Sequence, residues 1–171
     1  MSWAFAKLEV RHGSLMEPLA VVFMATMATE RIAAQDLSNL VWAYATLLIV
    51  HEPLCQAISA RAQQNIAALS SQALANTAWS VAVLEFLDRP LVAAISAAAV
   101  PRIGELTPQA LSNTVWACAS LVFRSRPLLA AISSRSRSNI RAFTPRDLAN
   151  SAWAFAELAV EDEPLLAAQA A

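Results

Sequence analysis

The strongest constraint on this fold is a short segment that recurs four times at an interval of 37 residues. Each copy carries an asparagine followed three residues later by a tryptophan. The asparagines are Asn39, Asn76, Asn113 and Asn150, and the tryptophans are Trp42, Trp79, Trp116 and Trp153. A Pro-Leu pair keeps the same interval, at Pro53, Pro90, Pro127 and Pro164. A fixed period of this length indicates tandem structural repeats that pack on their neighbours.

Each repeat has the signals of two helices. A hydroxyl residue followed by proline, as in Thr107-Pro108 and Thr144-Pro145, is typical of a helix start, and Ser70 or Ser71 opens the corresponding helix one repeat earlier. The recurring proline opens the second helix, and Pro101 is expected to shorten or kink one of them. The prediction is an all-α fold, an α-solenoid of tandem two-helix repeats of 37 residues.

The whole chain, residues 1–171, is predicted to be one α-solenoid fragment. Its complete repeats are expected at 34–70, 71–107 and 108–144, with partial repeats at 1–33 and 145–171. Trp3–Leu8 matches the middle of a first helix, and Pro164–Ala168 matches the start of a second helix. The first unit is longer than the others, and Gly13–Ser14 are expected to lie in its extended link.

Composition fits helices that are buried on much of their surface, since 57% of residues are hydrophobic and only 2 are glycine. The longest apolar run, Leu40–Val50, is well short of the ~20 residues that a spanning helix needs, so we expect no membrane partner. The net charge of −1 argues weakly against nucleic acid, because phosphate binding favours a basic surface.

At 100° per residue, the positions four before the asparagine, at the asparagine and seven after it share one side of the first helix. This largely polar stripe consists of Gln35, Asn39, Thr46, Gln72, Asn76, Val83, Gln109, Asn113, Ser120, Arg146, Asn150 and Glu157. The opposite stripe, Leu111, Val115 and Cys118 in the third unit, is expected to pack on the second helix. The amides either bind nucleobase edges or tie one repeat to the next through backbone bonds. The tryptophans either wedge between repeats or stack on bases.

Six arginines fall close together with no acidic residue among them: Arg124, Arg126, Arg135, Arg137, Arg141 and Arg146. Such a cluster is a candidate phosphate contact, and its alternative interpretation is a solvated outer face.

Catalysis is not expected. His51 and Cys55 are four residues apart, and a Cys–His pair can form a nucleophile. Cys55, however, takes the place of Val92 and Leu129 in the other units, which favours a packing role. No metal-ligand cluster or glycine-rich phosphate loop is present in the sequence, so we expect no enzyme activity, no cofactor and no small-molecule substrate.

The recurring segments at 74–82, 111–119 and 148–156 and their period resemble the heptatricopeptide and octotricopeptide repeats, which are tandem helical hairpins of organellar RNA-binding proteins. The resemblance covers nearly the whole chain. It implies sequence-selective binding of single-stranded RNA in mitochondria or plastids, acting in RNA processing, stability or translation. Members often end in a RAP domain, and none is visible in this sequence.

The sequence thus gives two hypotheses. In the first, the chain binds single-stranded RNA through Gln72, Asn76, Gln109, Asn113, Ser120, Arg135, Arg137, Arg141, Arg146 and Asn150. In the second, it is a protein-interaction scaffold whose concave face takes a peptide or helix. A continuous arginine track along the first helices would favour RNA, and a neutral or acidic groove would favour protein.

Overall fold

The computed structural model describes residues 13–29 and 32–158, and these form helices with no strand among them. The helices are α1 (Gly13–Thr29), α2 (Ala34–Thr46), α3 (Glu52–Gln64), α4 (Ser71–Val83), α5 (Arg89–Ala99), α6 (Pro108–Ser120), α7 (Arg126–Ser138) and α8 (Pro145–Glu157). Short 3-10 segments lie at Ile66–Ala68, Val100–Glu105 and Ile140–Ala142. The predicted all-α class is confirmed, whereas the helices expected at 3–8 and from Pro164 lie outside the described residues.

The first helices begin where the hydroxyl residues predicted. The side chains of Ser70, Thr107 and Thr144 each accept a hydrogen bond from the backbone N–H three residues later, at 3.1, 3.2 and 3.2 Å. Each bond satisfies a donor that the first turn of a helix leaves unpaired. At α8 the cap is reciprocal, because the Asp147 carboxylate accepts from the backbone N–H of Thr144.

The first helices end in the same turn three times. Leu48, Glu85 and Val122 follow α2, α4 and α6 with φ values of 53°, 53° and 51°. At the last of these turns, Val122 N donates to Ala119 O at 3.0 Å and Phe123 N donates to Cys118 O at 2.8 Å. This pair of bonds is the Schellman motif, in which glycine usually occupies the left-handed position. Because all three residues carry a Cβ, each turn is strained by about 1–2 kcal/mol.

Two of the second helices start at a residue whose side chain caps them, two positions before the recurring proline. The Asp88 carboxylate caps α5 through Leu91 N at 2.9 Å, and His51 Nδ1 caps α3 through Leu54 N at 3.1 Å. As predicted, Pro101 shortens its helix: α5 has 11 residues, against 13 for α3 and α7. The chain continues as the 3-10 segment Val100–Glu105.

The link predicted at Gly13–Ser14 is wrong, because Gly13 begins α1. In the later units the second helix begins one residue before its proline, but α1 begins five residues before Pro18. The additional turn buries Met16, and the Tyr44 hydroxyl donates a hydrogen bond of 2.5 Å to the Met16 carbonyl. These tertiary contacts favour a helix where the local sequence indicates a link.

The helices pack in two rows. First helices contact each other in chain order, α2 with α4, α4 with α6 and α6 with α8, and second helices do the same from α1 to α7. The core lies between the rows and contains leucines that recur with the sequence period: Leu37, Leu74 and Leu111 from first helices, and Leu54, Leu91 and Leu128 from second helices. The predicted buried stripe of Leu111, Val115 and Cys118 is confirmed. Among the described helices, none combines the length and apolarity that crossing a bilayer would require.

Candidate functional site

The polar stripe borders a cavity on the side of the first helices that faces away from the second helices. The cavity has a volume of about 480 Å³, and we call it the first-helix groove. Its lining residues are Trp42, Thr46, Trp79, Gln109, Asn113, Thr144, Arg146, Asp147 and Asn150. Cavities of this size with a few polar groups are typical binding sites for small molecules or single side groups of polymers.

The groove crosses the first helices diagonally. Trp42 and Thr46 come from the C-terminal half of α2, whereas Thr144 and Arg146 come from the N-terminal end of α8. α4 and α6 contribute residues between these two ends. Since α2 and α8 do not adjoin in the row, the groove extends across all four first helices.

The tryptophans combine packing with exposure to the groove. Trp42, Trp79 and Trp116 are half-buried against the core, while Trp153 is 45% exposed. The rings of Trp116 and Trp153 on adjacent helices have centroids 6.4 Å apart and planes tilted by 36°. This contact supports the wedge interpretation at α6 and α8, and the indoles of Trp42 and Trp79 line the groove.

The asparagines do not tie neighbouring units together in the way that one interpretation predicted. Asn39 Oδ1 accepts from Gln35 Nε2 at 2.9 Å, and Asn76 Oδ1 accepts from Gln72 Nε2 at 2.8 Å, both within one helix. A bond to the backbone of the next unit comes instead from Ser38, whose hydroxyl donates to Ala73 O at 3.3 Å. The amides are therefore not required for joining α2 to α4.

The amides of the polar stripe in the third and fourth units differ from those in the first two. Gln109, Asn113 and Asn150 form no side-chain hydrogen bond with other described residues, and all three line the groove. Gln109 is exposed and the two asparagines are half-buried. Their donors and acceptors are consequently available to a ligand, whereas Gln72 and Asn76 are already paired with each other.

The arginine cluster separates into two edges of the molecule. Arg146 lines the groove, and Arg141 is exposed in the 3-10 segment before α8. Arg135 and Arg137 lie at the end of α7, where they donate to Gly104 O and Ser133 Oγ, both at 3.1 Å. Arg124 and Arg126 are exposed at the opposite edge, between α6 and α7.

Ser120 lies in a second cavity, of about 540 Å³, at the C-terminal ends of α4 and α6. Its neighbours there include the apolar side chains of Trp116, Val83, Leu87 and Val122. Of the candidate residues, the structure thus brings Gln109, Asn113, Arg146 and Asn150 together and places Ser120 elsewhere.

A series of hydroxyl contacts joins second helices, and these contacts were not predicted from the sequence. Ser59 Oγ donates to Asp88 Oδ2 at 2.5 Å, and Ser96 Oγ donates to Ser125 Oγ at 2.8 Å. Both donors are buried, and both acceptors lie at the N-terminus of the next second helix. The signal was present, because Ser59, Ser96 and Ser133 share the 37-residue interval.

The two cysteines are packing residues. Burial raises the pKa of Cys118 to about 12, and burial also raises the pKa of Cys55 above its ordinary value. Neither thiol is ionised near neutral pH, which removes the nucleophilic form. Since His51 uses Nδ1 to cap α3 and Cys55 is buried, the packing interpretation of Cys55 is confirmed.

No protein-family model and no curated protein matches this chain. The assignment of a function therefore depends on the groove itself and on the residues that line it.

Proposed function

We propose that this chain binds single-stranded RNA in the first-helix groove and acts in mitochondrial or plastid RNA processing, stability or translation. One observation carries the proposal: the groove is lined by the indoles of Trp42 and Trp79 and by the amides of Gln109, Asn113 and Asn150, which form no side-chain hydrogen bond with other described residues. The organellar role follows from the resemblance to heptatricopeptide and octotricopeptide repeats.

The proposal includes an α-solenoid architecture built from two-helix repeats of 37 residues. Its support is that α2, α4, α6 and α8 begin at residues 34, 71, 108 and 145, and that α3, α5 and α7 begin at 52, 89 and 126. Each helix contacts the helix one interval later in its own row. In a solenoid of this kind the first helices form an extended inner surface, which suits a linear polymer.

The chemistry of the groove suits unpaired bases. An aromatic ring that stacks on a base contributes about 1–3 kcal/mol and accepts any base, because every base has a π-face. Amides such as Asn113 donate and accept at once, which matches the edges of nucleobases. In an RNA duplex these edges are paired and the deep groove is too narrow for side chains, so the site favours single strands.

The test compares amides in the groove with amides outside it. Gln109→Ala with Asn113→Ala removes two groove contacts, and the matched control is Gln56→Ala with Gln64→Ala on the exposed surface of α3. At about 1 kcal/mol per hydrogen bond, the groove pair should weaken binding of single-stranded RNA roughly 10-fold or more in fluorescence anisotropy. Equal affinities of the two double variants would refute the proposed site.

A second candidate function is a protein-interaction scaffold, and one observation favours it. The apolar side chains exposed at the edge where first helices turn into second helices are Leu48, Val50, Leu87 and Val122, and the last two line the second cavity. Within the described residues the groove holds one arginine, Arg146, rather than a continuous track. A chain that shows no salt-sensitive RNA binding, and whose association with a protein is lost in Leu87→Ser, would favour this alternative.

A further inference from the structure

The fourth unit carries a different residue at the first position of the polar stripe. Glutamine occupies this position in the three preceding units, at Gln35, Gln72 and Gln109, and arginine replaces it at Arg146. The asparagine four residues later is retained, as Asn150. Both Arg146 and Asn150 line the first-helix groove, and the Arg146 side chain is exposed. The groove therefore has a cationic group at its α8 end.

The Arg146 guanidinium is available to a ligand. In the first two units the glutamine donates to the asparagine of its own helix, as from Gln72 Nε2 to Asn76 Oδ1 at 2.8 Å. Arg146, in contrast, forms no hydrogen bond and no ion pair with the described part of the chain. The five N–H donors of a guanidinium lie in one planar fork, so this side chain can bind two adjacent acceptors at once.

An acidic group lies beside this cation in the groove. Asp147 also lines the groove, and its Oδ2 accepts from the backbone N–H and the hydroxyl of Thr144, at 3.0 and 2.7 Å. Its Oδ1 accepts no hydrogen bond from the described residues. A group that only donates thus adjoins a group that only accepts. Phosphate would be attracted by Arg146 but repelled by Asp147, so the pair favours a neutral ligand with acceptors and donors side by side.

Guanine is the base whose edges match this pair. Its O6 and N7 are adjacent acceptors, which arginine binds with two parallel hydrogen bonds. Its N1–H and its amino group are adjacent donors, which a carboxylate accepts. Adenine and cytosine have an amino group in place of O6, and uracil has a single acceptor on the corresponding edge, so none of them accepts the same two bonds there. In a single strand both edges of guanine are open to side chains.

We propose that the α8 end of the groove selects guanine, an inference that rests on the proposed function. Arg146 donates to O6 and N7 of one guanine in the bound strand, and Asp147 accepts from the N1–H and the amino group of the same base. The first three units have a neutral glutamine in place of Arg146 and do not share this preference. Selection of one base at one unit sets the register in which the remaining bases meet the other units.

The experiment uses uridine octamers whose central position carries guanine, adenine, cytosine or uracil. Binding to the full chain is measured by fluorescence anisotropy at one salt concentration. The two bonds from Arg146 should make the guanine octamer bind about 10-fold more tightly than the other three. Arg146→Gln, which introduces the residue of the other units, should bring the guanine octamer to within about 2-fold of the others.

Two controls isolate the contact between Arg146 and the base. Arg89→Gln has the same change of charge, and Arg89 is likewise exposed in the first turn of a helix, so this variant should retain the guanine preference. An octamer with 7-deazaguanine lacks the N7 acceptor and should bind the wild-type chain about 5-fold more weakly than the guanine octamer. The Arg146→Gln variant should bind these two octamers equally, because it no longer contacts N7.

The outcomes separate this inference from the proposed function. The inference is overturned if the wild-type chain has no guanine preference, if Arg89→Gln loses that preference as well, or if Arg146→Gln weakens all four octamers by the same factor. RNA binding that still depends on the groove pair at Gln109 and Asn113 would then retain the proposed function. A guanine preference that depends on Arg146, without an effect of the groove pair, would retain the guanine contact and refute the proposed amide site. If no octamer binds, both fail. Circular dichroism establishes that each variant is folded.

Discussion

The contact between Ser59 and Asp88 gives the sharpest prediction about stability. Asp88 Oδ1 caps α5 through Leu91 N, while Asp88 Oδ2 accepts from the buried hydroxyl of Ser59 on α3. One side chain therefore serves both the start of a helix and the junction between two helices. Asp88→Ala removes both functions.

The magnitude follows from the two contacts. Loss of an N-cap costs about 1 kcal/mol, and loss of the acceptor for the Ser59 hydroxyl, whose oxygen still accepts from Gln63 Nε2, costs about 1 kcal/mol more. Asp88→Ala should thus lower the free energy of unfolding by about 2 kcal/mol. The chain supplies its own control, because Ser125 occupies the equivalent position and accepts from Ser96 without capping its helix. Asp88→Ser should retain the junction, lose the cap and cost only about 1 kcal/mol.

The assay is urea unfolding followed by far-UV circular dichroism, extended to a double-mutant cycle with Ser59→Ala. In the Ser59→Ala background no hydroxyl is left unpaired, so Asp88→Ala should cost only the cap, about 1 kcal/mol. The reasoning is refuted if Asp88→Ala and Asp88→Ser are equally stable. It is also refuted if the cost of Asp88→Ala is the same with and without Ser59.

Three further predictions concern single positions. Burial, with the nearby Glu17 carboxylate, raises the pKa of Tyr44 to about 12, so the stability that the protonated Tyr44 hydroxyl contributes is fully present below pH ~10 and is lost as the pH rises toward 12. A tyrosinate absorbance midpoint near 10 in the folded chain would contradict this prediction. Glu85→Gly should raise the free energy of unfolding by about 0.5–1 kcal/mol, because relief of the left-handed strain exceeds the added freedom of the unfolded chain, and a lower Tm would contradict this. Ser112→Ala should be neutral or stabilising because the buried Ser112 hydroxyl has no partner, whereas Ser38→Ala should cost about 1 kcal/mol because it removes the hydrogen bond to Ala73 O. Equal effects of the two variants in urea unfolding would count against this reasoning.

The helix boundaries were predictable where the signal is local. Thr107 and Thr144 start helices because a hydroxyl cap acts within one turn, and Pro101 ends a helix through its own ring. The turns at Leu48 and Val122 were not predictable in their conformation, since neither residue is glycine and the preference of the segment for a tight reversal comes from packing.

The candidate site was predictable in its face but not in its details. Helical periodicity placed Asn113 and Asn150 on one side, and the structure brings both to the groove. Periodicity could not show that Gln72 and Asn76 bond each other, because that depends on side-chain geometry. The arginines were grouped by their closeness in sequence, and only the tertiary structure separates Arg124 from Arg146.

The hydroxyl contacts between second helices have a consequence for how such a chain changes length. Ser59 reaches Asp88 and Ser96 reaches Ser125, so each junction spans 29 residues and involves only adjacent helix pairs. A duplicated pair inserted in the chain would meet a donor on one flank and an acceptor on the other. A whole unit can therefore be gained or lost without changing these hydrogen bonds elsewhere in the chain. We expect a pulling force applied to the ends to break the junctions between second helices one at a time.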